Sequence, residues 1–341
     1  MNGELSANTQ AILLLTAPLI IGRASSGEPP ISASDYNRFA VRLRELKRQP
    51  ADLLADEVDE ILEECQAVVD AAQVRGLLAR GFLLSQAVER WRSRAIWVMS
   101  RADAVYPRRL KTRLGGAAPP VLYGCGEMAL LEQGGLAVVG SRDVDAELIA
   151  YSEKIGQLAS RAKTTVVSGG ARGVDQAAMR GALQSKGRAV GMLADSLEQA
   201  ALQRTHRDAL LEKRLALVSP YDPSAEFNAG HVLQRNKLIY ALADAALVVN
   251  SDEKKGGTWA GAIEQLEKLR FVRVYVRSTG ELGTGIPALQ RHGAEPWPNP
   301  SDAGELELCL KAAPPPAVRA AAQSALALEA PPDEPLRRNH S

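Results

Sequence analysis

The chain has 341 residues, 41 Lys and Arg against 40 Asp and Glu, a net charge of +1, and 46% hydrophobic residues. That length suggests two domains and enough apolar material for a sizeable core. The balanced charge excludes a histone-like polycation, so any anion binding must rest on local charge. Three widely separated cysteines (Cys65, Cys125 and Cys309), with no CxxC, argue against a disulfide framework or a zinc site and fit a reducing, cytoplasmic setting.

From the N-terminus, Ala11–Ile21 is an apolar run well short of the ~20 residues that cross a bilayer. No Lys or Arg precedes it, so it lacks the basic start of a signal peptide and reads as a buried helix in a chain with no membrane association. A helix beginning at Ser32 or Ser34 carries Phe39, Leu43 and Leu46 at helical spacing, and the pattern continues to about residue 95 with breaks at Gly76 and Gly81. Residues 1–95 are therefore expected to form a small helical domain. Residues 96–135 change texture: two short apolar runs flank a basic segment and Pro119-Pro120, which predicts a lead-in with two short strands.

From Leu136 the runs "LAVVG", "TTVVSGG", "RAVGMLA", "LALVS", "AALVVN" and "VRVYV" alternate with helical stretches near 147–162, 174–185, 197–213, 231–243 and 258–269. Val-rich runs separated by crossover helices predict an α/β fold, a doubly wound parallel Rossmann-like sheet over 136–294 within a domain of 96–300. Beyond it, 301–341 is Pro/Ala-rich and expected to be a disordered tail, with one short helix at 317–329.

Ligands of such sheets sit past the carboxyl ends of the strands. The turns there are "GSR" (Gly140, Ser141, Arg142), "SGGARG" (Ser168, Gly169, Gly170, Arg172, Gly173) and "NSDEKKGGTW" (with Lys254, Lys255, Gly256, Gly257 and Thr258), joined by "QRNK" with Arg235, Asn236 and Lys237. Glycines allow a ligand close to the backbone, and helix N-termini offer free N–H groups and partial positive charge, which suits phosphate. Neither GxGxxG nor GxxxxGK[ST] is present, so a standard dinucleotide or P-loop site is not indicated. Asp175 reads as a helix-start residue that bonds free N–H groups. Tyr221, Tyr240 and Trp259 are the aromatic candidates for base stacking, with Tyr240 better placed for core packing. His206 and His231 are unpaired in sequence and read as surface or helix residues. No cofactor, metal or catalytic constellation is indicated.

The series "VVGSR", "VVSGGARGVDQAAMRGAL", "QRNKLIYALADAALVV", "KKGGTWAGAIE" and "GTGIPALQRHGA", led in by "DAVYPRRLK" and "APPVLYGCG", resembles the DprA/Smf family of DNA-processing proteins over about residues 96–294. The resemblance implies a dimer that binds single-stranded DNA at the basic rim of the sheet and loads the recombinase RecA on it, protecting incoming DNA during natural transformation. It implies phosphate contacts from Gly140, Ser141, Arg142, Ser168, Gly169, Gly170, Arg172, Gly173, Asp175, Arg235, Asn236, Lys237, Lys254, Lys255, Gly256, Gly257 and Thr258. The chain departs from the family pattern in several places. Met179 stands where a His is common and Lys237 where Arg is usual. "KKGGTW" is a variant loop, the tail replaces a winged helix, and the N-terminal helices do not read clearly as the family's SAM-like module.

The wider superfamily of LOG/lysine-decarboxylase-like proteins implies a second reading, a nucleotide-binding sensor or hydrolase in a phage-defence setting, with Asp175 and Glu264 as its acids. A third is a scaffold that pairs with itself and with partner proteins.

Overall fold

The computed structural model describes residues 4–20 and 28–311. Among the described residues the N-terminal region holds five α-helices, α1 (Ala7–Thr16), α2 (Ala33–Glu45), α3 (Val58–Glu64), α4 (Ala71–Leu78) and α5 (Gly81–Ser93). From Ala11 to Leu15 α1 is apolar on every side and wholly buried, because α2, α4, α5 and the sheet enclose it. It stops at Thr16, short of the expected end, because Pro18 forces Ala17 into extended backbone. Ile21 lies outside the described residues.

Ser32 caps α2 by accepting the Asp35 N–H, and the buried Tyr36, Phe39 and Leu43 follow at helical spacing. Gly76 does not break the pattern but lies inside α4, whereas Gly81 opens α5.

The sheet begins with the two lead-in strands, β1 (Trp97–Ser100) and β2 (Val121–Gly126), with α6 (Arg108–Leu114) between them. There follow β3 (Leu136–Val139), α7 (Ala146–Arg161), β4 (Thr165–Ser168), α8 (Val174–Gln184) and β5 (Arg188–Met192). The chain continues through α9 (Leu197–Ala201), α10 (Arg204–Leu211), β6 (Leu215–Ser219), α11 (Ala229–Leu242), β7 (Ala245–Val248) and α12 (Gly256–Glu264). It ends with β8 (Arg273–Val276), α13 (Gly285–Arg291), β9 (Glu295–Pro296) and α14 (Ala303–Lys311).

The strand order is β1-β2-β6-β5-β4-β3-β7-β8-β9. β3 to β9 pair parallel, while β2 joins β6 antiparallel and carries β1 antiparallel at its outer side.

Side chains alternate between two cores, as a pleated sheet covered on both faces requires. Leu136, Val138, Val166, Ala189, Leu217 and Leu247 join α7, α8 and the N-terminal helices. Ala137, Val139, Val167, Val190, Val218 and Val248 join α6, α11, α12 and α13. The Arg90 guanidinium also reaches Glu198 at 2.6 Å, tying α5 to α9.

Three details depart from the sequence reading. The helix expected over 197–213 is two, because the chain turns at Leu202–Gln203. The helix expected over 258–269 is α12 followed by a wider π turn, Gln265–Leu269, in which the buried Gln265 amide donates to the Val272 carbonyl at 3.0 Å. Residues 303–311, assigned by composition to the tail, form α14, which packs Leu306 and Cys309 beside α7. The helix expected at 317–329 lies outside the described residues.

Candidate nucleic-acid interface

From β3 the chain winds outward through β4, β5 and β6, then returns to β3's other side as β7. A crevice therefore opens past the carboxyl ends of β3 and β7, where the connections diverge. The turn 140–142 leaves β3, the turn 169–173 leaves β4, and the turn 249–258 leaves β7, so topology gathers them at one end of the sheet.

Side-chain bonds lock them together. Thr258 donates its hydroxyl to the Gly140 carbonyl at 2.9 Å, joining the third turn to the first. The first turn rests on the start of α8, where the Val174 N–H reaches the Ser141 carbonyl at 3.3 Å. Gly173 has φ +90°, and a Cβ there would stand 2.5 Å from the Ser141 oxygen. Both the backbone conformation and the space thus require glycine.

Asp175 is the hub. Its carboxylate, 6% exposed, accepts the Gly169 N–H at 3.1 Å and also takes the amides of Ala171 and Gly140. The sequence reading made it a helix-start residue bonding free N–H groups. Those N–H groups belong to two different turns. Burial pushes its carboxyl up to about 6, against the pull of Arg235 and the three amides. Arg235, 4% exposed on α11, lies against Gly169 and donates to the Met192 carbonyl. Its Nε has no hydrogen-bond partner among the described residues. A Cβ on Gly169 would come within 2.5 Å of the Asp175 carboxylate and collide with the Arg235 guanidinium.

The expected contact residues thus divide by position. Arg142, Arg172, Lys254, Lys255 and Gly256 are exposed. Ser168 is buried and donates to the Val138 carbonyl at 2.6 Å. Asn236 donates to the Gly257 carbonyl at 2.9 Å and so braces the α12 start from below. Lys237 points to the α12 side, where burial lowers its ammonium and Glu264 supports the charge.

Asp175 and Glu264, the two acids of the hydrolytic reading, each have other partners. One is occupied by turn amides, and the other faces Lys237.

A cleft of about 360 Å³ opens beside these turns, lined by Arg142, Gly169–Arg172, Arg235 and four residues the sequence reading missed. These are Leu193, Ala194 and Asp195, which follow β5, and Phe227, which precedes α11. The rule that located the other turns applies equally to the end of β5. Phe227 carries no such sequence signal, but it is 59% exposed and its ring centre lies 5.2 Å from the Arg142 guanidinium.

The aromatic residues singled out in sequence are engaged elsewhere. Tyr240 is in the core, Tyr221 stacks on His231 at 3.7 Å, and Trp259 meets His292 edge-on at 6.0 Å.

Residues 97–305 match the family described as DNA recombination-mediator protein A. The chain belongs to this family. Among curated relatives, the DprA protein of Mycobacterium tuberculosis is 32% identical over 230 residues, covering 63% of this chain and 54% of that protein. Protein Smf of Escherichia coli is 35% identical over 156 residues, covering 43% of this chain and 40% of its own. The chain thus spans about half the length of the curated relatives it matches. The X-ray structure of DprA from Streptococcus pneumoniae superposes with a TM-score of 0.63 at 18% identity, over 81% of this chain and 93% of that one, and shares the fold. These likenesses confirm the DprA/Smf assignment and the Rossmann-like architecture read from the sequence. Among the described residues, no helix is long and apolar enough to cross a membrane.

Proposed function

We propose that this DNA-processing family member binds single-stranded DNA, without catalysis, along the turns that follow β3, β4 and β7. The observation that carries this reading is the convergence of Arg142, Arg172, Lys254 and Lys255, all exposed, on turns held rigid by Asp175 and Thr258. Fixed cations hold phosphates without reorganising, and phosphates carry no base identity. A single strand can bend its phosphates into a crevice that a stiff duplex cannot enter.

The family's description as a recombination mediator supports a further step, in which the bound strand is handed to RecA. The protein would act as a homodimer in the cytoplasm, with 96–300 as the DNA-gripping unit and the helices of 1–95 packed behind it.

The test is a binding titration with oligo-dT, a duplex of the same length and mononucleotides at several salt concentrations. Single strands should bind most tightly and with steep salt dependence. Equal affinity for duplex, or binding of mononucleotides alone, would overturn the reading.

A further inference from the structure

Asp195 is out of place in a purely phosphate-binding cleft. It lies among Arg142, Arg172 and Arg235, and a carboxylate there repels the phosphate those cations attract. Nor is it a built-in counterion. Arg235 and His231 feel its charge, but neither forms an ion pair with it, and no hydrogen bond engages it among the described residues.

It is also held in position. The Leu193 N–H reaches the Val218 carbonyl at 2.7 Å, the Ser196 N–H reaches the Ala225 carbonyl at 3.0 Å, and Ser196 adopts φ +53°. The segment between is pinned on both sides, with the carboxylate half-buried and open to the cleft.

Around it the cleft has two further kinds of surface. Phe227, Leu193 and Ala194 form an apolar wall, with an exposed ring large enough to stack on a base. The nearly buried Arg235 and the Gly169–Ala171 backbone line the phosphate side. A carboxylate beside an aromatic platform, a phosphate seat close by, is the arrangement that reads one nucleotide.

Its chemistry selects the base. A carboxylate only accepts hydrogen bonds. Guanine alone offers two adjacent donors on one edge, N1–H and the 2-amino group, matching both oxygens. Cytosine and adenine set an acceptor beside their amino group, and thymine flanks its single N–H with two carbonyl oxygens. Each of these turns a lone pair toward the carboxylate.

We infer that this cleft is a guanine-reading subsite, in which Asp195 accepts from the N1 and 2-amino groups of a base stacked on Phe227 while its phosphate lies against the Gly169–Arg172 turn. This rests on the proposed DNA-binding role and adds to it one position of base preference.

The test uses the full chain with fluorescent oligo-dT carrying one central dG, dA, dC or deoxyinosine, and in parallel dGMP against dTMP. A single dG should tighten binding about tenfold over dT, within the range of one bidentate base contact. Deoxyinosine, lacking the 2-amino group, should recover only part of the gain. Asp195→Ala should erase the dG preference and, by removing a charge that repels phosphate, tighten oligo-dT binding.

Wild-type protein that binds oligo-dT but prefers neither dG nor dGMP refutes the guanine subsite and leaves the DNA reading standing. Selective dGMP binding without oligo-dT binding does the reverse. Preference for dA equal to that for dG reduces the cleft to a stacking site and overturns the inference, as does a dG preference that survives in Asp195→Ala. If no probe binds, both readings fall.

Discussion

The proposed interface can be tested by counting charges. Four exposed cations, Arg142, Arg172, Lys254 and Lys255, stand on the turns around the crevice. If each neutralises one phosphate, log K should fall with log salt at a slope of about −2.8, at ~0.7 per contact for a single strand. Raising salt from about 50 to about 200 mM should then weaken binding about 50-fold. Arg172→Ala removes one contact, so the slope should ease to about −2.1 and the same salt step should cost only about 20-fold.

Arg172 is exposed and makes no hydrogen bond or ion pair with another described residue, so the substitution should leave the melting temperature unchanged. Loss of affinity can therefore be read as loss of a contact. Fluorescence anisotropy with oligo-dT at four or five salt concentrations measures both slopes. A wild-type slope near zero, or a slope unaltered in both Arg172→Ala and Lys255→Ala, refutes the phosphate assignment.

Three further outcomes follow from the packing around the turns. Gly169→Ala forces a methyl group against Asp175 and Arg235 and should cost about 1–3 kcal/mol of stability, read by urea unfolding; an unshifted midpoint would show that this contact is looser than described. Burial pushes the Asp175 carboxyl up to about 6, above the ordinary carboxylate value, so the native state takes up the proton first. Its contribution therefore favours the fold more as pH falls from about 7 toward 4 and is lost as pH rises through about 6. The stability difference between the wild type and Asp175→Asn should shift in that sense over that window, and a pH-independent difference would contradict it. Cys125 is buried and its thiol is pushed up to about 12 by burial, so it should react with a thiol reagent only on unfolding; fast reaction of the native protein would place it at the surface.

Much of the architecture is local and was legible in the chain. Val-rich runs alternating with amphipathic stretches determine a parallel sheet covered on both faces, because a strand buried on both sides cannot carry the polar alternation of a half-exposed one. Ser32 announces the α2 start by its own cap, and the turns with Gly140, Gly169 and Gly256 follow apolar runs directly, so their place at the strand ends needed no tertiary information. The DprA/Smf motifs lie in that same local sequence.

What the tertiary structure decided are the roles that depend on residues far apart in the chain. Asp175 became the clamp between two turns only because β3 and β4 lie side by side, and Ser168 and Asn236 turned inward to brace backbone. Arg235 was read from the sequence as a site residue, but only the packing of α11 against the Gly169 turn made it a nearly buried group that reaches the cleft from mid-helix. Phe227 and Asp195 share a wall although a strand and two helices separate them in sequence. The antiparallel addition of β2 to β6 and the docking of α14 beside α7 were likewise closed over long loops. A residue's type and neighbours state what bonds it can make. Which partner it meets is set by packing, and packing is a property of the whole chain.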